Sequence, residues 1–133
     1  MVLDASGNLG LGGFLPSAWQ AGYKIMQFSD ATGASVGGSS YAAQLGANFY
    51  INSSGTQVYG GGSYKASKYS QFNGEHFWYR STSTPTTGSD VVFTQEMTLN
   101  TDGHLLVGTT STGYGARGVF VAPATVAALV VDV

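Results

Sequence analysis

The sequence predicts an all-β chain built from short-stranded hairpin modules, and three observations lead there. First, a hairpin-like segment is written twice. Residues 2–12 (V-L-D-A-S-G-N-L-G-L-G) and 98–108 (T-L-N-T-D-G-H-L-L-V-G) align without a gap at an offset of 96, matching Leu3 with Leu99, Asp4 with Asn100, Gly7 with Gly103, Leu9 with Leu105 and Gly12 with Gly108. A chain that restarts with the same unit is built from modules laid end to end. Second, the 133 residues include 20 glycines and 13% aromatics but only 9% charged residues, far under the ~25% of an average soluble domain. That mix suits turn-rich β-structure and excludes a long charged helix or ordinary disorder. Third, turn signals recur roughly every 8–12 residues and no β-α-β alternation is visible.

The elements follow in order. Met1–Gly12 reads as a tight hairpin with Ser6-Gly7 as a two-residue turn, which sets Asp4 opposite Leu9 and Leu3 opposite Gly10. Pro16 and Gly22 frame at most one or two helical turns around Trp19, itself read as a buried anchor at a module junction. Tyr23–Phe28 is a strand with Tyr23, Ile25 and Gln27 on one face. Ser29–Ser40, rich in Gly and Ser, reads as a loop. Tyr41–Asn52 is a long strand, bulged or bent at Gly46, and Asn52–Gly55 is a turn. Thr56–Tyr59 and Ser63–Gln71 are strands flanking a flexible turn at Gly60–Gly62. Asn73-Gly74 is a strong type I′ signal joining Ala66–Phe72 to Glu75–Arg80. Ser81–Ser89 is a loop. Asp90–Leu99 is a strand leading into the second repeated hairpin, and Val119–Ala122 is another. Thr125–Val131 is either a buried strand or a short helix. The chain thus divides into a first repeated hairpin (1–12), a central β-rich module (13–96), and the second hairpin with an apolar C-terminal segment (97–133).

Composition also bounds function. A net charge of −2 with five scattered basic residues leaves no electrostatic footprint for nucleic acid or an anionic membrane. No cysteine is present, so disulfides and thiolate metal sites are excluded. No secretory signal is read at the N-terminus, and the apolar stretch Val119–Val131 is broken by Pro123 and falls short of the ~20 residues of a membrane helix. The low charge raises the expectation that copies of the chain cover much of its surface.

Several short motifs occur in one order: Leu3-Asp4-Ala5-Ser6-Gly7-Asn8-Leu9, Pro16-Ser17-Ala18-Trp19, Gly22-Tyr23-Lys24, Gly74-Glu75-His76-Phe77-Trp78, Phe93-Thr94-Gln95-Glu96-Met97-Thr98-Leu99 and Val107-Gly108-Thr109-Thr110. Over roughly residues 2–112 this order and spacing resembles the repeated modules of bacteriophage tail fibres and tail spikes, especially those of phages from aquatic bacteria. The resemblance implies an elongated, β-rich homotrimer, intertwined or side by side, on the tail fibre of a virion. Its function would be structural and adhesive, in host-cell attachment. Its partners would be its own copies, other phage tail proteins and bacterial surface polysaccharide, without nucleic acid or membrane insertion.

Candidate chemistry is sparse. Period-two alternation over Glu75–Arg80 sets His76, Trp78 and Arg80 on one face and Phe77 and Tyr79 on the other. A Trp beside a His and an Arg can stack on a sugar ring and hydrogen-bond its hydroxyls, so His76, Trp78 and Arg80 are the candidate glycan- or receptor-binding residues. The competing reading packs His76 and Trp78 into a sheet or trimer interface. An alternative function is a carbohydrate-binding module whose site is formed by Trp78, His76, Tyr79 and Arg80. A further alternative is a polysaccharide-degrading spike domain. No catalytic residue is assigned: the seven acids form no motif, and no G-x-S-x-G nucleophile elbow is recognised among the serines. No metal site or cofactor is expected, since Asp4-x-Ser6-Gly7 and Asn100-x-Asp102-Gly103 lack the ligand series of a calcium loop. The chain is therefore not expected to be an enzyme.

Overall fold

A computed structural model describes residues 1–12, 19–28 and 33–108, together with the backbone of one further strand at 118–120. Every regular element among these residues is a strand, which makes the chain all-β. The strands are β1 (Val2–Leu3), β2 (Leu9–Leu11), β3 (Lys24–Phe28), β4 (Ala34–Ser39), β5 (Ala42–Ala47), β6 (Phe49–Ile51), β7 (Gln57–Tyr59), β8 (Ser67–Phe72), β9 (Glu75–Ser81), β10 (Phe93–Leu99), β11 (Leu105–Val107) and β12 (Gly118–Phe120). Most of the expected helical turn at Pro16, the start of the Ser29–Ser40 segment and all of Thr125–Val131 lie outside the described residues. Trp19–Gly22 forms no helix.

Ten strands make one sheet in the order β1-β2-β3-β4-β5-β8-β9-β10-β11-β12, while β6 and β7 pair separately. Neighbours are antiparallel except β2 with β3 and β11 with β12, which are parallel. Each repeated hairpin is therefore followed by a parallel strand at the equivalent place. A parallel neighbour needs a crossover, and about a dozen residues suffice.

The repeated hairpin closes differently from the expected two-residue turn. Leu3 pairs with Leu9 and Val2 with Gly10. The Asp4 amide donates to the Asn8 carbonyl at 2.9 Å and Gly7 N–H to the Asp4 carbonyl at 3.0 Å, leaving a three-residue loop. Gly7 takes φ +82° but Ser6 does not reach positive φ. A type I′ turn requires both central residues there, so the longer loop wins. At Asn73-Gly74 both residues do reach it, at +54° and +79°, and the expected I′ hairpin forms with Phe72 opposite Glu75.

The same turn occurs a third time. Asn52 N–H donates to the Thr56 carbonyl and Gly55 N–H to the Asn52 carbonyl, both at 2.9 Å, as Asn100 does with His104 and Gly103 with Asn100 at 3.0 Å. In each copy the first residue's Oδ1 accepts two backbone amides: Ser6 and Asn8 on Asp4, Ser54 and Thr56 on Asn52, Asp102 and His104 on Asn100. Positions 4, 52 and 100 are spaced by 48, as are Gly7, Gly55 and Gly103, and Gly12, Gly60 and Gly108. The 96-residue repeat thus has a midpoint, which is the β6–β7 hairpin.

That middle hairpin leaves the large sheet and folds over one side of it. The long strand expected over Tyr41–Asn52 breaks at Asn48, which sits at φ +57°, and not at Gly46. Gly46 stays in β5 because a side chain there would run into the Phe49 ring. Asn48 also holds the glycine run expected to be flexible: its Oδ1 accepts Gly61 N–H at 2.8 Å, and its Nδ2 donates to the Gly61 carbonyl at 3.2 Å and to the Tyr64 carbonyl. Gly60 and Gly61 are buried. Beneath the hairpin lies the core of Trp19, Ile25, Phe49, Ile51, Tyr59, Ala66 and Val91, with Trp19 edge-on to Phe49 at 6.1 Å. Trp19 is buried, in agreement with the sequence expectation, and Ile25 and Gln27, expected on one face of their strand, are both buried.

The Ser29–Ser40 segment is corrected from loop to strand over Ala34–Ser39. Its small residues mark close approach rather than looseness. A Cβ at Gly37 would strike the Lys24 carbonyl and the Ile25 side chain, and one at Gly38 the Ala42 carbonyl.

Candidate interaction face

The two sides of the large sheet differ in what covers them. One side carries the core and the β6–β7 hairpin. Lys68 lies on it, donating to Gln57 Oε1 at 2.6 Å with its ammonium 4.7 Å from the Tyr79 ring centroid and 4.6 Å from that of Phe93. Burial pushes this amine down to about 8, while the two rings favour its charged form. Burial also raises the Tyr79 hydroxyl, with Glu75 adding to the effect. A cleft of about 340 Å3 runs along this side, with Tyr23, Tyr41, Lys68 and Tyr79 among its walls.

His76, Trp78 and Arg80 are on the opposite side, where alternation along β9 sets them. His76 stacks on Trp78 at 6.5 Å and 21°. The pairing of β8 with β9 sets Gln71 against His76 and Tyr69 against Trp78, and these two residues complete the cluster. The Tyr69 and Trp78 rings are 5.0 Å apart. The Tyr69 hydroxyl is hydrogen-bonded to His76 Nδ1 and accepts from Gln71 Nε2 at 2.8 Å. Sequence reasoning named neither Tyr69 nor Gln71, although counting outward from Asn73-Gly74 gives both. Arg80 is engaged with Glu96 at 2.7 Å, beside the bulge between Gln95 and Met97. Tyr79 belongs to the other side, against Phe93 at 6.2 Å. The four-residue site with Tyr79 is therefore corrected: its members do not share a face.

Trp78 and Tyr69 are also two steps in a longer row on that side. From the first edge, Leu3 pairs with Leu9, Leu9 with Met26 and Met26 with Val36. Val36 then pairs with Leu45, and Leu45 with Tyr69. Beyond Trp78 the row continues to Met97 and Val107. Directly opposed residues in a ladder share a face, so nine consecutive strands each present one apolar or aromatic side chain to the same side. None of the nine is buried; Leu3 is 69% exposed and Leu45 51%. Beside it, a shallow cleft of about 430 Å3 is lined by Ala34, Leu45, Ala47, Tyr69 and Trp78 among others.

Catalytic geometry is not assembled by these elements. Gly33-Ala34-Ser35-Val36-Gly37 does have the G-x-S-x-G spacing that the sequence reading passed over. Ser35 lies inside β4, paired with Gln27 and Gly46 and 2% exposed, whereas a nucleophile elbow is an exposed strand-to-helix turn. Among the described residues no three His, Asp or Glu side chains stand together as metal ligands, and no helix is long and apolar enough to cross a membrane. Compared with known proteins, the chain matches no family model, no curated protein and no solved structure.

Proposed function

We propose that the chain is a structural and adhesive module of a phage tail fibre, working as a homotrimer in host-cell attachment. The observation that carries this reading is the restart of one hairpin, with the same turn bonds and the same following parallel strand, at the two ends of an open sheet. Serial units suit a rod that spans distance between particle and cell; a single binding pocket has no use for them. The ordered motifs over residues 2–112 supply the link to tail fibres and spikes. No catalytic role is assigned.

Immunogold labelling tests the reading: an antibody against the chain is applied to tailed particles from the source culture. Label confined to the tail fibres is expected. Bare particles, with label on cell envelopes or soluble material, would overturn it.

A second reading, a carbohydrate-binding module, is favoured by the Tyr69–His76–Trp78 cluster. Trp78 would stack on the apolar face of a sugar while His76 and Arg80 bond its hydroxyls. On a glycan array this reading expects binding that Trp78→Ala abolishes without change in sedimenting mass. A collapse of mass in Trp78→Ala would instead place Trp78 between copies of the chain.

A further inference from the structure

We propose that the nine-residue apolar row is the contact between copies of this chain, the row of one copy lying along the row of another. The inference rests on the multi-copy reading above and names the surface that reading needs. Four observations choose a second copy as the occupant.

The first is size. Eight interstrand steps of about 4.8 Å make the row roughly 40 Å long. With flanking residues such as Ala34, Ala47, Leu99 and Leu105 on the same side, the patch covers on the order of 500 Å2 per copy, in the upper part of the range of largest patches on single chains, which are often functional. Two such patches together reach the ~1,000 Å2 that a specific interface requires. The second is charge. No member of the row is ionisable as a carboxylate, ammonium or guanidinium; of the charged residues flanking it, Arg80 is paired with Glu96 at 2.7 Å and Lys24 donates to the Ser6 carbonyl. Identical copies can therefore face each other along the row without opposing like charges within it. The third is spacing. One side chain per strand, repeated at the strand interval, is matched by another sheet packed about 10 Å away.

The fourth is internal precedent. Ile51 and Phe49 of the middle hairpin occupy the positions that Leu99 and Met97 hold in the last one, at an offset of 48. In the middle copy this side is 6% and 2% exposed, sealed on a sheet face of the same chain. On the corresponding side of the terminal hairpins Leu3 is 69% exposed, and Leu9, Met97, Leu99 and Leu105 are half-buried. The molecule thus shows this side of the hairpin buried against a sheet face, here the face opposite the row, and a second copy is what can bring a sheet face to the terminal hairpins.

Leu45 is the fifth of the nine, at the midpoint of the row, so it lies beside its own counterparts where the three rows gather along one axis. The chain has no native cysteine, which makes a single-cysteine test clean. With a short bis-maleimide, whose spacer spans the distance between packed sheets, Leu45→Cys is expected to cross-link between chains, whereas Tyr64→Cys, exposed away from the row, is not. In parallel, analytical ultracentrifugation of the wild-type chain is expected to give a multiple of 13.7 kDa. The double variant Val36→Lys/Leu45→Lys should dissociate to monomer, with at least a hundredfold weaker association and an unchanged β-sheet circular dichroism spectrum. A multimer that neither cross-links through Leu45→Cys nor responds to the lysines would overturn this assignment and leave the multi-copy reading standing. A wild-type chain that is monomeric at all concentrations would overturn both.

Discussion

The β6–β7 hairpin and the β1–β2 hairpin are made by the same turn and end in opposite surroundings. Both close on an Asx side chain that accepts two amides, and both need a left-handed glycine three residues later. Yet Ile51 is 6% exposed while Leu3, its counterpart, is 69% exposed. The difference teaches that turn chemistry determines that a hairpin forms, and not where it goes. Location is decided by what surrounds it. Asn48 turns the chain out of β5 at positive φ, and Gly46 leaves a seat for the Phe49 ring, so the middle hairpin drops onto the sheet. The terminal hairpins lack such a corner and stay in the sheet plane, with their apolar side open.

The strongest way to break this comparison is to truncate the matched residues. Ile51→Ala is expected to cost about 2–5 kcal/mol, the range for a buried aliphatic side chain. Leu3→Ala is expected to stay within about 0.5 kcal/mol, as at exposed sites. Urea denaturation midpoints, taken at a concentration low enough to separate copies, decide it; equal losses would mean that the two environments do not differ. Gly46→Ala comes next. A methyl group there meets the Phe49 ring, so overpacking should remove roughly 1–3 kcal/mol and lower the thermal midpoint, and a neutral result would show that the hairpin is not seated on Gly46. Smaller again is the loss of one turn acceptor. Asn52→Ala and Asn100→Ala each remove two side-chain hydrogen bonds, on the order of 1 kcal/mol per turn. Hydrogen exchange should show the Asn52 variant raising exchange across the core, and the Asn100 variant only in its own hairpin.

The smallest effect separates the turns by pH. The backbone and side-chain bonds from Asn8 hold the Asp4 carboxyl below the ordinary aspartate value. A depressed carboxyl contributes stability above its unfolded pKa, and the contribution is lost as pH falls through the folded value. The Asn8 amide resonance should therefore move as pH drops from about 4 towards 2, while the Thr56 and His104 amides, held by neutral asparagines, should not follow the same titration. Identical curves at all three would show that the carboxyl is not what closes the first turn.

Much of this architecture could be read from the residues alone. Strand class, the Asn73-Gly74 hairpin and its register, the shared face of Ile25 and Gln27, and the buried Trp19 all follow from local pattern. The failures share a cause. The segment from Ala34 to Ser39 has no apolar alternation because its partners come too close for side chains, so a strand reads as a loop. The midpoint of the repeat keeps the turn residues Asn52 and Gly55 but has Ile51, Gln57 and Tyr59 where the first hairpin has Leu3, Leu9 and Leu11, which hides it from a search for Leu. The row on the bare side cannot be seen in one dimension, because its members are assembled by register across nine strands. His76, Trp78 and Arg80 were correctly given one face, but Tyr69 became visible only once pairing was known.

One feature of the topology bears on how such a molecule comes into being. Strands join the large sheet in the order of their synthesis, and only the β6–β7 excursion interrupts that order. Each new strand finds its template already in place at the growing edge, so few distant encounters are needed and the entropic barrier to pairing stays low. A polypeptide of this kind can zip itself up as it leaves the ribosome, with the middle hairpin as the single piece that must swing back before the rest is added.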